Sequence, residues 1–88
     1  MGLAYVETAG TLTNTTVSLA AKDRNVLIIG NPSDTVMTFA VGTTATATNG
    51  VPIAAGSHIA FTEPRTAPSA AVSVFCAGSS KAYYILEG

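Results

Sequence analysis

The sequence predicts an all-β fold, namely a single small antiparallel β-sandwich or jelly-roll-like barrel with an N-terminal arm. Apolar and polar residues alternate in short β-branched runs, and this period of two is typical of strands. Turn-forming residues recur about every 8–12 positions, which is the spacing expected of a small sandwich or barrel. No segment keeps a helical period, although 15 of the 88 residues are Ala. We therefore expect one all-β domain.

The chain divides into two parts. We assign residues 1–14 to an N-terminal arm or a first edge strand, because their hydrophobic pattern is the least regular in the sequence. Residues 15–88 then form the β-sandwich domain. At its start Val17 and Leu19 alternate with small residues, which predicts a half-buried strand. The charged stretch 22–25 follows and predicts a solvated turn.

Two apolar strands are predicted in the middle of the chain. Residues 26–29 are apolar without interruption, so a strand there places large side chains on both of its faces. The segment 31–34, Asn-Pro-Ser-Asp, ends this strand because its residues favour turns. The next strand covers 36–41 and carries Met37 and Phe39 on one face.

A Thr/Ala segment and a hairpin are predicted next. Residues 43–48 are all Thr or Ala, and this composition predicts an uncharged strand against which another layer can pack closely. The dipeptide Asn49-Gly50 is the strongest two-residue hairpin signal, because both positions tolerate positive φ. Pro52 then confines the strand 51–53 to a sheet edge or a bulge.

The last third of the chain continues the same pattern. A short strand at 58–61 precedes a Pro-containing loop at 62–69, and two further strands cover 72–76 and 82–86. Cys76 stands in a β-branched and aromatic run, so we expect it to be a small buried hydrophobic residue.

Composition excludes several classes of function. Nine residues are charged, 10% of the chain against about 25% in an average soluble domain. The net charge of −1 lacks the basic excess of a nucleic-acid binder. No apolar run approaches the ~18 residues that span a membrane. One Cys and one His are too few for a zinc site or a disulfide framework. We expect no nucleic-acid or membrane partner, no metal and no cofactor.

Catalytic signatures are missing from the sequence. His58 is the only imidazole, and no G-x-S-x-G nucleophile elbow accompanies it. The carboxylates are scattered over separate turns, so no acid–base pair is indicated. We predict that the protein is not an enzyme and assign no catalytic residue. A small hydrolase that uses His58 is kept as an alternative.

The low charge points to assembly with other chains. A solitary globule usually carries charge on ~25–35% of its surface, and this chain has mostly Thr, Ser and Ala instead. Neighbouring chains would cover the second apolar face of 26–29 and the uncharged edge at 43–48. Tyr83 and Tyr84 are adjacent, so at most one of them faces the core, and Tyr is enriched at interfaces. The predicted partner-contact residues are Leu3, Tyr5, Val6, Leu27, Ile29 and Tyr83.

Three segments together resemble small all-β bacteriophage virion proteins of the capsid cement, decoration or head-fibre type. They are VLIIGNPSDT at 26–35, FAVG at 39–42 and NGVPIAAG at 49–56, followed by Ile59. The resemblance is one of strand and turn order over about residues 25–88, and it does not extend to the first 24 residues.

This resemblance implies a structural virion protein that cements or decorates a phage capsid through protein–protein contacts. Its partner would be the major capsid protein or another virion protein. Copies of the chain would form a homo-oligomer, with a trimer as one candidate, and the protein would be made in the host cytoplasm and reside in the virion. The alternative is a carbohydrate- or receptor-binding module of a phage fibre or tail, which would use an exposed Tyr and the polar loops at 31–35 and 62–69.

Overall fold

The computed structural model describes residues 6–63 and 67–88, which form a β-sandwich of two antiparallel sheets. Sheet A has the strand order β1-β8-β3-β6, and sheet B has the order β2-β7-β4-β5. The strands are β1 Val6–Leu12, β2 Thr15–Leu19, β3 Leu27–Gly30, β4 Met37–Val41, β5 Val51–Ile53, β6 His58–Phe61, β7 Val72–Cys76 and β8 Lys81–Glu87.

The strand pairing is nested along the chain. The first strand pairs with the eighth, the second with the seventh, the third with the sixth and the fourth with the fifth. Every connection except that between β4 and β5 passes from one sheet to the other. This is the winding of an eight-stranded jelly roll, so the predicted fold class is confirmed.

The alternation within each strand builds the core between the two sheets. Sheet A contributes Leu27 and Ile29 from β3, which are fully buried, and sheet B contributes Val74 from β7. Phe39 and Phe61 meet across the sandwich edge to face, with ring centroids 6.3 Å apart. The full cluster of buried core residues is Leu12, Leu27, Ile29, Met37, Phe39, Ile53, Val72, Val74, Cys76, Tyr83 and Ile85.

Several predicted elements are present. Val17 and Leu19 of β2 are half-buried against this core. Pro52 lies in β5, which is the edge strand of sheet B. Cys76 is buried as predicted, and burial raises the pKa of its thiol. The predicted turn at 31–34 separates β3 from β4.

The prediction of a strand at 43–48 with a two-residue hairpin at Asn49-Gly50 is wrong. Residues 42–50 form one long connection between β4 and β5 instead. Gly50 adopts φ 134°, and a Cβ there would lie 2.7 Å from the carbonyl oxygen of Phe39. The glycine is therefore needed where this connection enters β5 close to the backbone of β4.

The prediction of a solvated turn at 22–25 is corrected at Arg24, which is buried. Its guanidinium donates to Glu87 Oε2 at 2.7 Å. It also donates to three backbone carbonyl oxygens, those of Ala20, Pro68 and Ala70, at 2.8–3.0 Å. Because a guanidinium offers five donors in a fixed fork, one side chain ties three chain segments together at this end of the sandwich.

The predicted arm 1–14 is described from residue 6 onward, and its residues Val6–Leu12 form β1 at the edge of sheet A. Leu12 enters the core from its end. The predicted contact residues Leu3 and Tyr5 lie outside the described residues, as do residues 64–66 of the loop at 62–69.

Candidate protein-contact surface

The outer face of sheet A is a continuous surface of small and apolar side chains. Residues that are paired across the four strands share a face, so the register divides this surface into rows. One row is Glu7, Leu86, Ile28 and Ala60. The adjacent row is Ala9, Tyr84, Gly30 and His58, and Thr11 and Ala82 continue the surface beyond it. We call these ten residues the A face.

Tyr84 forms the centre of the A face. Its ring lies over Gly30 on the neighbouring strand, where a Cβ would come within 1.9 Å of the ring carbon Cζ. The ring therefore occupies the space that a side chain at Gly30 would take, and it buries this glycine. Tyr84 itself remains 36% exposed. The result is an aromatic ring held flat against the sheet and open to a partner.

The set of residues that can contact a partner differs from the predicted set, because the A face is made of other side chains. Leu27, Ile29 and Tyr83 were predicted as contacts, but all three are buried in the core of the single chain. This part of the prediction is corrected: the strands are the expected ones, and the side chains that point outward are their neighbours. Val6, also predicted, is 52% exposed at the start of the edge strand β1, and its contact role stays a prediction.

The residues that sequence reasoning missed are Ile28, Tyr84 and Leu86. Ile28 and Leu86 are half-buried on the A face, one strand apart in the same row. Sequence alternation alone could not choose between Ile28 and its neighbours, because the whole 26–29 segment is apolar. For Tyr84, a signal was available in Tyr83 and Tyr84 taken together, since one of two adjacent residues in a strand must face outward.

The outer face of sheet B is covered by the chain itself. The connection 42–50 lies across it, and Ala45 at its middle is fully buried. The Ser73 hydroxyl of β7 accepts from the Ala45 N–H at 2.7 Å and donates to the Thr43 carbonyl at 2.9 Å. Thr16 of β2 donates to the Ala45 carbonyl at 3.1 Å. Thr38 of β4 likewise donates to the Thr46 carbonyl at 2.8 Å.

A shallow pocket of about 190 Å³ lies beside this cover. Its lining is mostly small and hydroxylated: Ser18, Gly42, Thr43, Thr44, Ala71, Val72 and Ser73. Ser73 already uses its hydroxyl in two hydrogen bonds to the cover.

The polar loop after β3 uses its own side chains for structure. Asn31 is fully buried, and its amide group donates to the carbonyl oxygens of Thr35 and Ile53 at 2.8 and 3.0 Å. The Ser33 hydroxyl donates to the Asn31 side-chain oxygen at 2.6 Å. Beside them, Asp34 pairs with Lys81 at 2.7 Å, and this hydrogen bond lowers the pKa of the Asp34 carboxyl.

Glu87 is the acidic member of the buried cluster around Arg24, which lies at the opposite end of the sandwich from Asn31. It lies 2.7 Å from Arg24 Nε and 3.3 Å from Lys22 Nζ. Burial acts to raise the pKa of the Glu87 carboxyl, but the hydrogen bonds and positive charges of Arg24 and Lys22 outweigh it, so the pKa is lowered. This cluster fixes the C-terminal strand, and its groups are enclosed rather than open to a substrate.

His58, the alternative catalytic residue, lies on the A face, where it pairs in register with Gly30. It is exposed, and its strand neighbours on this face are uncharged. Within residues 6–63 and 67–88, no three His, Cys, Asp or Glu side chains lie close enough together to hold a metal ion. The same residues include no helix of the length and hydrophobicity that crossing a membrane requires.

The fold places this chain among jelly rolls, a class that includes viral capsid and lectin domains. No protein-family model matches the sequence, and no curated protein matches it significantly. Among solved structures, the chain is similar to a chain of Bacillus endospore appendages, which form a novel family of disulfide-linked pili. The TM-score is 0.54 with 19% identity, over 96% of this chain and 81% of that chain. At this identity the likeness shows a shared fold.

Proposed function

We propose that this protein is a structural subunit that binds other protein chains through the A face and has no enzymatic activity. The observation that carries the proposal is the difference between the two outer faces: the connection 42–50 lies across sheet B, whereas within residues 6–63 and 67–88 no segment lies in the same way over Tyr84, Ile28 and Leu86. Exposed apolar patches on small proteins mark interaction sites, and Tyr is enriched in them.

We propose a virion surface as the assembly, with the protein cementing or decorating a phage capsid. The order of strands and turns over residues 25–88, which resembles small phage virion proteins, supports this assignment. The outer layer of a capsid offers a repeated protein surface on which many copies of a small, nearly uncharged domain can dock.

A pilus-like polymer of this chain is the second candidate, and the likeness to the Bacillus appendage chain favours it. That family of pili is disulfide-linked, whereas this sequence contains one cysteine, Cys76, which is buried in the core. Contacts between copies of this chain would therefore be non-covalent and would depend on the exposed faces.

A matched pair of charge substitutions tests the A face. Ala82 is exposed on the A face, and Ala47 is exposed on the cover of sheet B. Because an unpaired charge buried in an interface is costly, we expect Ala82→Arg to lower binding to capsids at least about tenfold in a co-sedimentation assay. Ala47→Arg, at an equally small and exposed position, is expected to bind as the parent protein does.

The assay separates the candidates. Equal binding by both variants would contradict the role of the A face. If neither the parent protein nor a variant binds capsids but the parent forms filaments that Ala82→Arg prevents, the virion assignment is wrong and the polymer is supported. Filaments of the parent are resolved by electron microscopy.

The predicted contacts of Leu3 and Tyr5 remain part of the proposal. Removing residues 1–5 keeps every residue of β1 that the structure describes, Val6–Leu12. We expect this truncation to weaken capsid binding and to leave the unfolding midpoint unchanged. Full binding by the truncated chain would restrict the contact surface to the A face.

Carbohydrate binding by a fibre or tail module is the remaining alternative, and the exposed Tyr84 ring over Gly30 favours it, since aromatic rings can stack on sugars. Screening the isolated protein against a glycan array tests it. Binding that is lost in Tyr84→Ala but kept in Ala82→Arg would support the glycan site, and an array without signal would remove it.

A further inference from the structure

The positions of the acidic and the basic residue on the A face indicate which partner it binds. Glu7 lies on β1 at one edge of the sheet, in the row of Leu86 and Ile28. His58 lies on β6 at the other edge, in the adjacent row. The acidic and the basic side chain thus occupy diagonally opposite corners of the A face. A shorter diagonal joins Ile28 to Tyr84 on the two inner strands and crosses the line between Glu7 and His58 midway.

We propose that the A face binds the A face of a second copy of this chain, in a dimer with a two-fold axis along the Ile28–Tyr84 diagonal. This inference rests on the proposed role of the A face as the contact surface. A two-fold axis in the plane of the interface exchanges positions on either side of itself. It therefore places each Glu7 opposite His58 of the other copy, and Tyr84 and Ile28 each against their own counterpart.

Charge complementarity is the reason to assign a second copy rather than an unrelated protein. Among the outward-pointing residues of the four strands, Glu7 is the acidic residue and His58 the basic one. The strand next to His58 presents Ile28 and Gly30 on this face, and neither of these neighbours is charged. The A face thus has one acidic and one basic side chain, placed so that a two-fold axis pairs them twice.

The A face is small, so the dimer is weak. Four strands about 4.8 Å apart, with three rows of outward side chains about 7 Å apart, make a surface of about 400 Å², which falls below the roughly 800 Å² per partner of a standard interface. The association belongs to the transient class and becomes strong only where many copies are held close together, as on a particle surface.

Sedimentation equilibrium of the full chain at high protein concentration tests the proposal. Histidine gains its positive charge as the pH falls through the physiological range, while glutamate stays ionised. With two Glu7–His58 pairs per dimer, we expect the association constant to rise about three- to tenfold between about pH 8 and about pH 6. The expected species is a dimer. A trimer or an open-ended series of larger species would contradict the two-fold axis.

Charge-exchange variants identify the pair. Glu7→Lys alone and His58→Glu alone are each expected to weaken the dimer at about pH 6, because each places like charges opposite one another. The double variant restores opposite charges at both corners, so we expect it to associate as strongly as the parent, and with little change between the two pH values. A double variant no stronger than the single ones would overturn the pairing. Both positions are exposed, and a thermal unfolding scan checks that each variant is folded.

The sedimentation result and the capsid binding of Ala82→Arg together distinguish a failure of the dimer from a failure of the proposed function. A chain that stays monomeric at both pH values, yet binds capsids in a manner that Ala82→Arg disrupts, would refute the dimer and leave the A face as a contact for another protein. A chain that dimerises while Ala82→Arg has no effect on either process would refute the A face as the contact surface.

Discussion

The two outer faces of the sandwich differ in what covers them. On sheet B, hydroxyl groups of three strands hold the connection 42–50 across the sheet, and Ala45 in the middle of this connection is buried. On sheet A no segment among the described residues plays this part, and Tyr84 lies open over Gly30. Both sheets belong to one nested winding, so the difference comes from side chains rather than from topology.

The outward side chains of the two sheets explain this difference in cover. Thr and Ser on the outside of sheet B bind the backbone of the cover, so the chain itself covers this part of the sheet. The A face presents Ala, Ile, Leu and Tyr, which offer packing area but few hydrogen bonds. An apolar surface of this kind is stabilised by another apolar surface, which we propose comes from a second protein chain.

The largest expected effect comes from the buried end of the sandwich. Arg24→Ala removes one of the two cations that pair with buried Glu87, the other being Lys22, and leaves three backbone carbonyl oxygens without their donor. Breaking a buried ion pair in this way costs about 3–5 kcal/mol of unfolding free energy. Urea unfolding measures the loss. A loss below about 1 kcal/mol would mean that water replaces the guanidinium and that this end is not enclosed.

Adjacent tyrosines provide the sharpest contrast between core and surface. Tyr83→Ala opens a cavity in the core, so we expect a loss of about 3 kcal/mol of stability. Tyr84→Ala is expected to cost about 1 kcal/mol or less but to abolish binding through the A face. Thermal unfolding and co-sedimentation are measured on both variants. Equal stability losses in the two would contradict the assignment of Tyr84 to a contact surface.

The cover of sheet B is tested at Ser73. Ser73→Ala leaves the buried N–H of Ala45 without an acceptor, and we expect this to cost about 1–3 kcal/mol. The substitution also loosens the cover, so amide hydrogen exchange at residues 43–46 is expected to quicken while that of β8 stays slow. Unchanged exchange at Ala45 would show that the cover does not depend on this hydroxyl.

The smallest expected effect is on the pH dependence of stability. The pKa of Glu87 is lowered in the folded chain from its ordinary value of 4.5, so its contribution is fully present above that value and is lost as the pH falls through the folded pKa. We expect the parent to lose stability below about pH 4.5, and Glu87→Gln to show a shallower loss over the same range. Identical pH profiles would assign the acid sensitivity to other carboxylates.

Particular residues show how far the sequence could be interpreted. The period of two and the spacing of turns identified the all-β class, and the alternation in 72–76 placed Val74 and Cys76 in the core. Residues 43–48 have strand-like composition, but the hydroxyl of Ser73 binds their backbone in place of a neighbouring strand. Because Ser73 is far away in the sequence, residues 43–48 themselves give no sign of this contact.

The site was harder to predict than the fold, for two physical reasons. Every residue from Val26 to Ile29 is apolar, so alternation did not tell the inward Leu27 of β3 from the outward Ile28. Arg24 was expected in solvent because its chain neighbours are polar, yet its partner Glu87 lies 63 residues away. Burial of a charge depends on such a partner, and only the folded chain brings the two together.

Hydroxyl-radical footprinting of the free and the assembled protein tests the central claim most directly, because it needs no substitution. Tyr84, Ile28 and Leu86 are expected to lose reactivity on assembly, while Val51, exposed on sheet B, keeps its reactivity. Protection of the segment 42–51 with unchanged reactivity at Tyr84 would contradict the claim and make sheet B the contact surface.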